Sequence, residues 1–312
     1  MTLINKLTRF KGSNFLIPMF LTAILATFLP AVLKLGFPFS GLFTTQATFF
    51  IIAVLLLVSG IKTDVKKYAG VLKSIGPVLL VKIAIATLLT LIWKRLFPGQ
   101  ILLGINAVII CAVLMSCNPG MYLVLLGKSI SDNEESTFSV INLLMLPAIP
   151  LVILSIGESH IDLVTPIIAN LLPFGIGILI GMMYPESKKQ FRPLSMLLIP
   201  FLAVTFGAKI NLIVAFQSSL SGVLLTLIFY LAMVLSVTLF DNIWNKQAGR
   251  MALSMSSVAA FSMSIPPFVS QFLKISPAQI IQSIGQIAFA VIISSFLTPY
   301  LYEKWVDKKS MF

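Results

Sequence analysis

The chain is 312 residues long, 58% hydrophobic and only 10% charged, with a mean hydropathy of +1.03. One aqueous core cannot bury that much apolar surface, which excludes a soluble globular domain and points to an integral membrane protein. The formal charge of +12 would suit a nucleic-acid partner, but the basic residues are distributed by loop, and that reading is set aside.

Ten apolar stretches follow one another: 14–34, 43–61, 73–93, 101–126, 137–156, 163–183, 194–208, 220–240, 251–273 and 280–302. About 20 residues, rising roughly 1.5 Å each, cross a hydrocarbon core of about 30 Å. The expectation is an all-α membrane protein with ten transmembrane helices. With the amino terminus placed in the cytoplasm, 16 of the 22 Lys and Arg residues fall inside, 5 fall outside, and Lys82 lies within a span. This asymmetry predicts a multi-pass protein of the cytoplasmic membrane with both termini inside, its basic loops attracted to anionic lipid of the bilayer. The first stretch follows Lys6, Arg9 and Lys11 as a signal peptide would, yet its length, Pro18 and Pro30 and a counterpart later in the chain favour a retained helix.

Lys82 lies about nine residues, or roughly 13 Å, into the third stretch, deeper than a lysine stem readily snorkels. It reads equally as a counter-charge for an anionic substrate and as a structural lysine held by carbonyls. Asn118-Pro119-Gly120 interrupts the fourth stretch. Proline removes a backbone donor and clashes with the preceding turn, so carbonyls near residue 115 lose their helical partners. A bilayer tolerates this only where the broken backbone faces protein, water or a ligand. Ser116, Asn118, Gly120 and Tyr122 are therefore candidate substrate or ion ligands. Cys111 and Cys117 share that span and read as packed thiols, with neither a disulfide nor a metal site expected. The loop 157–162 is external in this orientation, and its His160 reads as solvated.

In the ninth stretch Ser264-Ile265-Pro266-Pro267 predicts a second break. On one continuous helix Ser254, Ser257 and Ser264 share a face, with Ser256 to its side. Ser256, Ser257, Ser262 and Ser264 are candidate ligands for a polar substrate or cation, although serines also let helices pack closely. Asn142, Gln271, Gln282 and Gln286 read as helix-pairing residues. All ten acids fall in loops or at span ends, so neither a proton relay nor the acid/base pair of an enzyme is visible.

Gly60-Ile61-Lys62-Thr63-Asp64 returns as Gly207-Ala208-Lys209-Ile210-Asn211, 147 residues later. The same offset carries Pro38 onto Pro185, Ser74 onto Ser221, Lys82 onto Phe229 and Pro119 onto Pro266. It lays five spans over five, and the odd number inverts the second copy. The expectation is two inverted five-helix repeats, 12–157 and 160–305. Their broken fourth and ninth helices would cross near the midplane, where half-helix amino termini and freed carbonyls form a binding site. Asn118 and Ser264 are expected to line it together.

The blocks Leu16-Ile17-Pro18-Met19-Phe20, Ser74-Ile75-Gly76 through Val81-Lys82-Ile83-Ala84, Asn118-Pro119-Gly120-Met121-Tyr122 and Ile199-Pro200-Phe201 through Phe206-Gly207 resemble the 2-keto-3-deoxygluconate permeases, over about residues 13 to 300. The resemblance implies a bacterial inner-membrane symporter that takes up a six-carbon keto-acid with protons, on a ten-helix fold of the bile-acid symporter type. In that fold spans four and nine cross in a mobile core, and spans one, two, six and seven form a panel, so core and panel subdomains are interleaved across both repeats. A lysine at the place of Lys82 belongs to the family pattern. Places where that pattern carries acids hold Met115, Leu144 and Gln271 here, and its Asn-Gly-Gly reads Asn-Pro-Gly, which leaves proton and sodium both open as the coupling ion. The expected function is a secondary active transporter, a symporter importing a small organic anion, foremost 2-keto-3-deoxygluconate or a related sugar acid. A sodium-coupled organic-anion carrier is the alternative, ahead of a channel or a membrane-embedded enzyme. No catalytic residue, metal or cofactor is expected; the partners are an anionic small molecule and the bilayer, with a homodimer left open.

Overall fold

A computed structural model describes residues 13–97, 104–126, 132–158, 161–191 and 193–307. His160 and seven of the basic residues counted above (Lys6, Arg9, Lys11, Lys128, Arg192, Lys308 and Lys309) lie outside the described residues. The described residues are helical, with no β-strand among them.

The first helix, α1 (Ser13–Phe28), stops before Pro30, whose ring and missing N–H cannot continue it. The stretch expected to run as one helix to residue 34 therefore ends early, and 3₁₀ turns at Val32–Lys34 and Phe39–Phe43 carry the chain to α2 (Thr45–Lys62). Thr44 caps α2, its hydroxyl accepting from the Ala47 amide at 3.1 Å. Next come α3 (Val65–Leu96), which absorbs Pro77, and the fourth stretch, split into α4 (Ala107–Met115) and α5 (Pro119–Leu126). The fifth stretch is split too, into α6 (Asp132–Leu144) and α7 (Ala148–Ser155). Beyond it lie α8 (Val164–Met183), the short α9 (Ser187–Phe191) and α10 (Leu194–Gly207).

Asn211 caps α11 (Leu212–Gln217), and α12 (Ser219–Ile228) passes through a π-helical turn at Phe229–Val234 into α13 (Leu235–Asn245). The ninth stretch comprises α14 (Arg250–Met255), a 3₁₀ turn at Ala260–Ser264 and α15 (Ile265–Val269). The last long helix, α16 (Pro277–Tyr302), opens on a capping box between Ser276 and Gln279.

Among the described residues, five helical runs are long and apolar enough to cross a membrane: Thr45–Lys62, Gly70–Leu96, Val164–Met183, Ser219–Asn245 and Pro277–Val306. Their exposed faces are apolar. On α3, Leu80, Leu88 and Ile92 fall within about a third of the helix circumference and are all exposed, which suits a helix whose outer face meets lipid.

The helices fall into two packed groups. In one, α2 lies along α8, and α10 packs against both α1 and α2. Backbones touch in these pairs because glycine supplies no side chain. A Cβ on Gly177 would stand 2.1 Å from the Leu57 carbonyl oxygen, and one on Gly207 2.3 Å from that of Met19. Just past α10, Lys209 donates to the Thr48 hydroxyl at 2.8 Å, and burial pulls its pKa down to about 8. In the other group α3 packs on α4, α6 and α13, while α16 packs on α11, α12 and α14. The split helices lie in this second group.

Candidate functional site

The first break is built by Pro119 and Asn118. Proline stands at the first position of α5, where an N–H would have no helical partner in any case. Asn118 caps that helix, its Oδ1 accepting from the Met121 amide at 2.9 Å. Between the half-helices, Ser116, Cys117 and Asn118 have left the helical ladder. The Asn118 amide, which in a continuous helix would bond the Leu114 carbonyl, donates instead to the Met255 carbonyl at 2.9 Å.

Leu114 finds a substitute. Its carbonyl accepts from Lys82 Nζ at 2.7 Å, and the same ammonium lies 5.5 Å from the centre of the Phe229 ring. Lys82 is only 1% exposed, and its cation sits at the negative end of α4. A carbonyl thus partners this lysine, as the structural alternative required. One of its three ammonium donors is used.

The second break differs from the sequence expectation. Met255 ends α14, and Ser256 to Ala259 run irregularly before the 3₁₀ turn. The chain opens there, earlier than expected, and Ser264-Ile265-Pro266-Pro267 marks where the interruption ends and α15 begins, as Asn118-Pro119 does for α5. Pro266 and Pro267 occupy the first turn of α15, where no helical N–H bond is lost, so they start a helix. Ser254, Ser257 and Ser264 consequently do not share one helix. The second opened segment begins at Ser256, 140 residues after Ser116 and not 147.

Hydroxyl groups from other segments hold this opening. Ser116 Oγ accepts from the Ala259 amide at 2.7 Å, and Ser294 Oγ accepts from the Val258 amide at 3.0 Å. Ser257 donates to Ser294 Oγ at 3.2 Å, and Thr298 donates to the Ser256 carbonyl at 2.7 Å. Tyr230, on the π-helical turn, pairs with the Thr298 hydroxyl at 2.6 Å. The two breaks therefore meet in direct contact, Asn118 on Met255 and Ser116 on Ala259.

Beside the crossing lies a small cavity of about 10 Å³, room for roughly one water, whose walls include Met115, Ser116, Leu144, Phe261, Ser262 and Ile265. The Ser262 hydroxyl makes no hydrogen bond to the described residues, so it is available to a ligand. Met115 and Leu144 occupy two of the positions where the resemblance implies acids, which makes this wall neutral. Gln271, the third, is exposed beyond α15.

The sequence-predicted residues separate accordingly. Ser116, Asn118, Ser256, Ser257 and Ser262 come together at the crossing. Gly120 stands in the first turn of α5, where a Cβ would lie 3.4 Å from Asn118 Oδ1. Tyr122 is fully buried one turn along. The Ser256 and Ser264 hydroxyls are taken up by their own backbone, donating to Ala252 O at 2.6 Å and Phe261 O at 2.7 Å.

Sequence reasoning missed Ser294, Thr298 and Tyr230, since nothing local marks a hydroxyl that braces another helix. It placed Asp241 at a span end without foreseeing that it is 0% exposed. Asp241 accepts from the Ala252 amide at 2.8 Å and from Asn245 at 2.6 Å. A carboxylate there favours the positive amino end of α14, the half-helix that leads into the second break.

Apolar helices of spanning length around a pair of opened, crossing helices define a multi-pass membrane protein of the transporter class. Comparison with known proteins agrees. Residues 4–311 match the 2-keto-3-deoxygluconate permease family. A relative from Pectobacterium carotovorum subsp. carotovorum, named 2-keto-3-deoxygluconate permease, is 28% identical over 307 residues, covering 96% of this chain and 95% of its own. One of the same name from Pectobacterium atrosepticum is 30% identical over 267 residues, 83% of each chain. The 2-keto-3-deoxygluconate permease 1 of Salmonella typhimurium is 28% identical over 310 residues, 96% of this chain and 94% of that one. The chain belongs to the 2-keto-3-deoxygluconate permease family, a family of transporters and not of enzymes.

Proposed function

We propose that the chain is a secondary active transporter of the bacterial cytoplasmic membrane, a symporter that imports a small organic anion together with protons. The foremost substrate is 2-keto-3-deoxygluconate, the compound in the names of its relatives, or a related sugar acid. The observation that carries this reading is the crossing of two opened helices through the Asn118–Met255 and Ser116–Ala259 hydrogen bonds, beside a cavity with the unused Ser262 hydroxyl. Opened helices at mid-bundle bring polar backbone to a place where an ion or carboxylate can use it.

The proposed architecture is ten spans in two inverted repeats, 12–157 and 160–305, with both termini cytoplasmic. Repeat-equivalent residues support it. Gly60 of α2 approaches the backbone of α8, and its equivalent Gly207 of α10 approaches that of α1. Lys82 and its equivalent Phe229 touch each other, as residues beside a two-fold axis would. In this architecture α1, α2, α8 and α10 form the panel and the second packed group forms the core.

Ser116, Asn118 and Ser262 hold the substrate or ion in this reading, and Gly120 gives it access to the first turn of α5. Lys82 offers its two remaining donors to the substrate carboxylate. Ser256, Ser257, Ser264 and Tyr122 shape the site from behind.

The alternative is a sodium-coupled organic-anion carrier, and one observation favours it. The carbonyls of Cys117 and Val258 receive no backbone hydrogen bond, and neutral carbonyls suit Na⁺ where acids for proton transfer are replaced. Thermal unfolding of the purified chain with a series of sugar acids, with pH and sodium varied independently, tests the reading. A keto-acid that raises the melting temperature in a saturable way supports it, and the ion that strengthens the shift identifies the coupling. No shift with any sugar acid under either ion contradicts it.

A further inference from the structure

Gln282 and Gln286 stand one turn apart on α16, and the sequence reads them as helix-pairing residues. Neither side chain has a hydrogen-bond partner among the described residues. Gln286 is 0% exposed, and neither its Oε1 nor its Nε2 has a hydrogen-bond partner. Gln282 is half-buried and makes no hydrogen bond to the described residues. Native proteins rarely leave a buried carboxamide unsatisfied, and such a group calls for a specific explanation.

Both side chains converge on one point. A Cβ on Gly104 would lie 2.3 Å from Gln282 Nε2 and 3.1 Å from Gln286 Nε2. Gly104 precedes Asn106, the cap of α4, by two residues, so the carboxamides gather beside the positive end of a nine-residue helix. Rotation of either amide exchanges its N and O, and both can present N–H groups to the same ligand atom.

We propose that Gln282, Gln286 and the first turn of α4 form a second substrate subsite, which holds the carboxylate of the sugar acid on its way to the breaks. An ionised carboxylate accepts hydrogen bonds and gives none, and it is favoured at a helix amino end. Two neutral amides supply donors without a counter-charge, which lets the anion leave again. Ser294, which braces the second break, is eight residues further along α16, or about 12 Å. A six-carbon acid held at Gln286 is therefore held apart from the crossing. In the proposed orientation this subsite lies on the external side. It rests on the transport reading above.

Trp93 is a reporter already in place, because its indole N–H donates to the Ile105 carbonyl at 3.4 Å, next to Gly104. The full chain with Trp244→Phe and Trp305→Phe is titrated with 2-keto-3-deoxygluconate while Trp93 fluorescence is followed. Uptake into proteoliposomes is measured for the otherwise unaltered chain and for Gln286→Met and Gln282→Met. Gln286→Met replaces an unpaired buried amide with an apolar chain of similar length, so the ligand-free protein should melt at a higher temperature. Its KM should nevertheless rise roughly tenfold or more, with the maximal rate kept and the Trp93 response lost. Gln282→Met should raise KM in the same direction. Unchanged KM in both variants, with a transporting wild type, overturns the subsite and leaves the transport reading standing, whether or not Gln286→Met alters the melting temperature. A wild type that neither binds nor transports any sugar acid overturns both.

Discussion

Lys82 shows how far a single residue could be understood before its surroundings were known. Its depth in an apolar stretch was legible, because an isolated lysine among some twenty apolar residues has to be held by something. What holds it was not legible, because the Leu114 carbonyl is free only when α4 ends at Met115, and 32 residues separate the partners. The same is true of Asp241, which sits at a span end in the sequence and caps α14 in the fold. Replacing Lys82 by Met removes a charge-assisted hydrogen bond and leaves a buried carbonyl unpaired, at a cost of about 1–3 kcal/mol of stability. Loss of its remaining donors to a substrate carboxylate should raise the KM for uptake roughly tenfold or more. Proteoliposome kinetics of Lys82→Met, alongside its melting temperature, check this. A lower melting temperature with unchanged KM would make Lys82 a brace for the first break and nothing more.

At the scale of elements, the first break was readable and the second was readable at its end but not at its start. Asn118-Pro119-Gly120 joins a helix cap to a proline at N1, so the sequence itself states where α5 starts. The second opening has no such signal at its start. Ser256 to Ala259 contain neither proline nor glycine, and the segment opens because Ser116 at the first break and Ser294 and Thr298 on α16 satisfy its backbone. Pro266, like Pro119, marks only where the next half-helix begins, and nothing local marks where α14 stops. Ser116 Oγ lies 2.7 Å from the Ala259 amide, which puts the two residues within range of a disulfide. The double variant Ser116→Cys/Ala259→Cys should crosslink under mild oxidation, lose uptake, and recover it on reduction. Failure to crosslink in a folded, membrane-inserted protein would mean that the breaks do not cross where described.

For the whole molecule, the composition alone set the class: 58% hydrophobic residues and ten apolar stretches leave little besides a bundle in a bilayer. Gly60 and Gly207, 147 residues apart, each let a helix backbone approach a partner, which supports the proposed repeats. Pro119 and Pro266 keep that offset in the first turns of α5 and α15, and the opened segments start 140 residues apart because α14 ends early, at Met255, which lengthens the second opening. Local spacing therefore located the pairs of helices better than it located the site between them. The central claim is that this crossing carries a sugar acid across the membrane by exchange coupled to an ion gradient. Counterflow of labelled 2-keto-3-deoxygluconate in proteoliposomes tests that claim most directly. Vesicles loaded with unlabelled compound should transiently accumulate label above equilibrium, and an imposed proton or sodium gradient should drive net accumulation in unloaded vesicles. Label that only equilibrates, with no overshoot and no response to either gradient, would contradict a carrier.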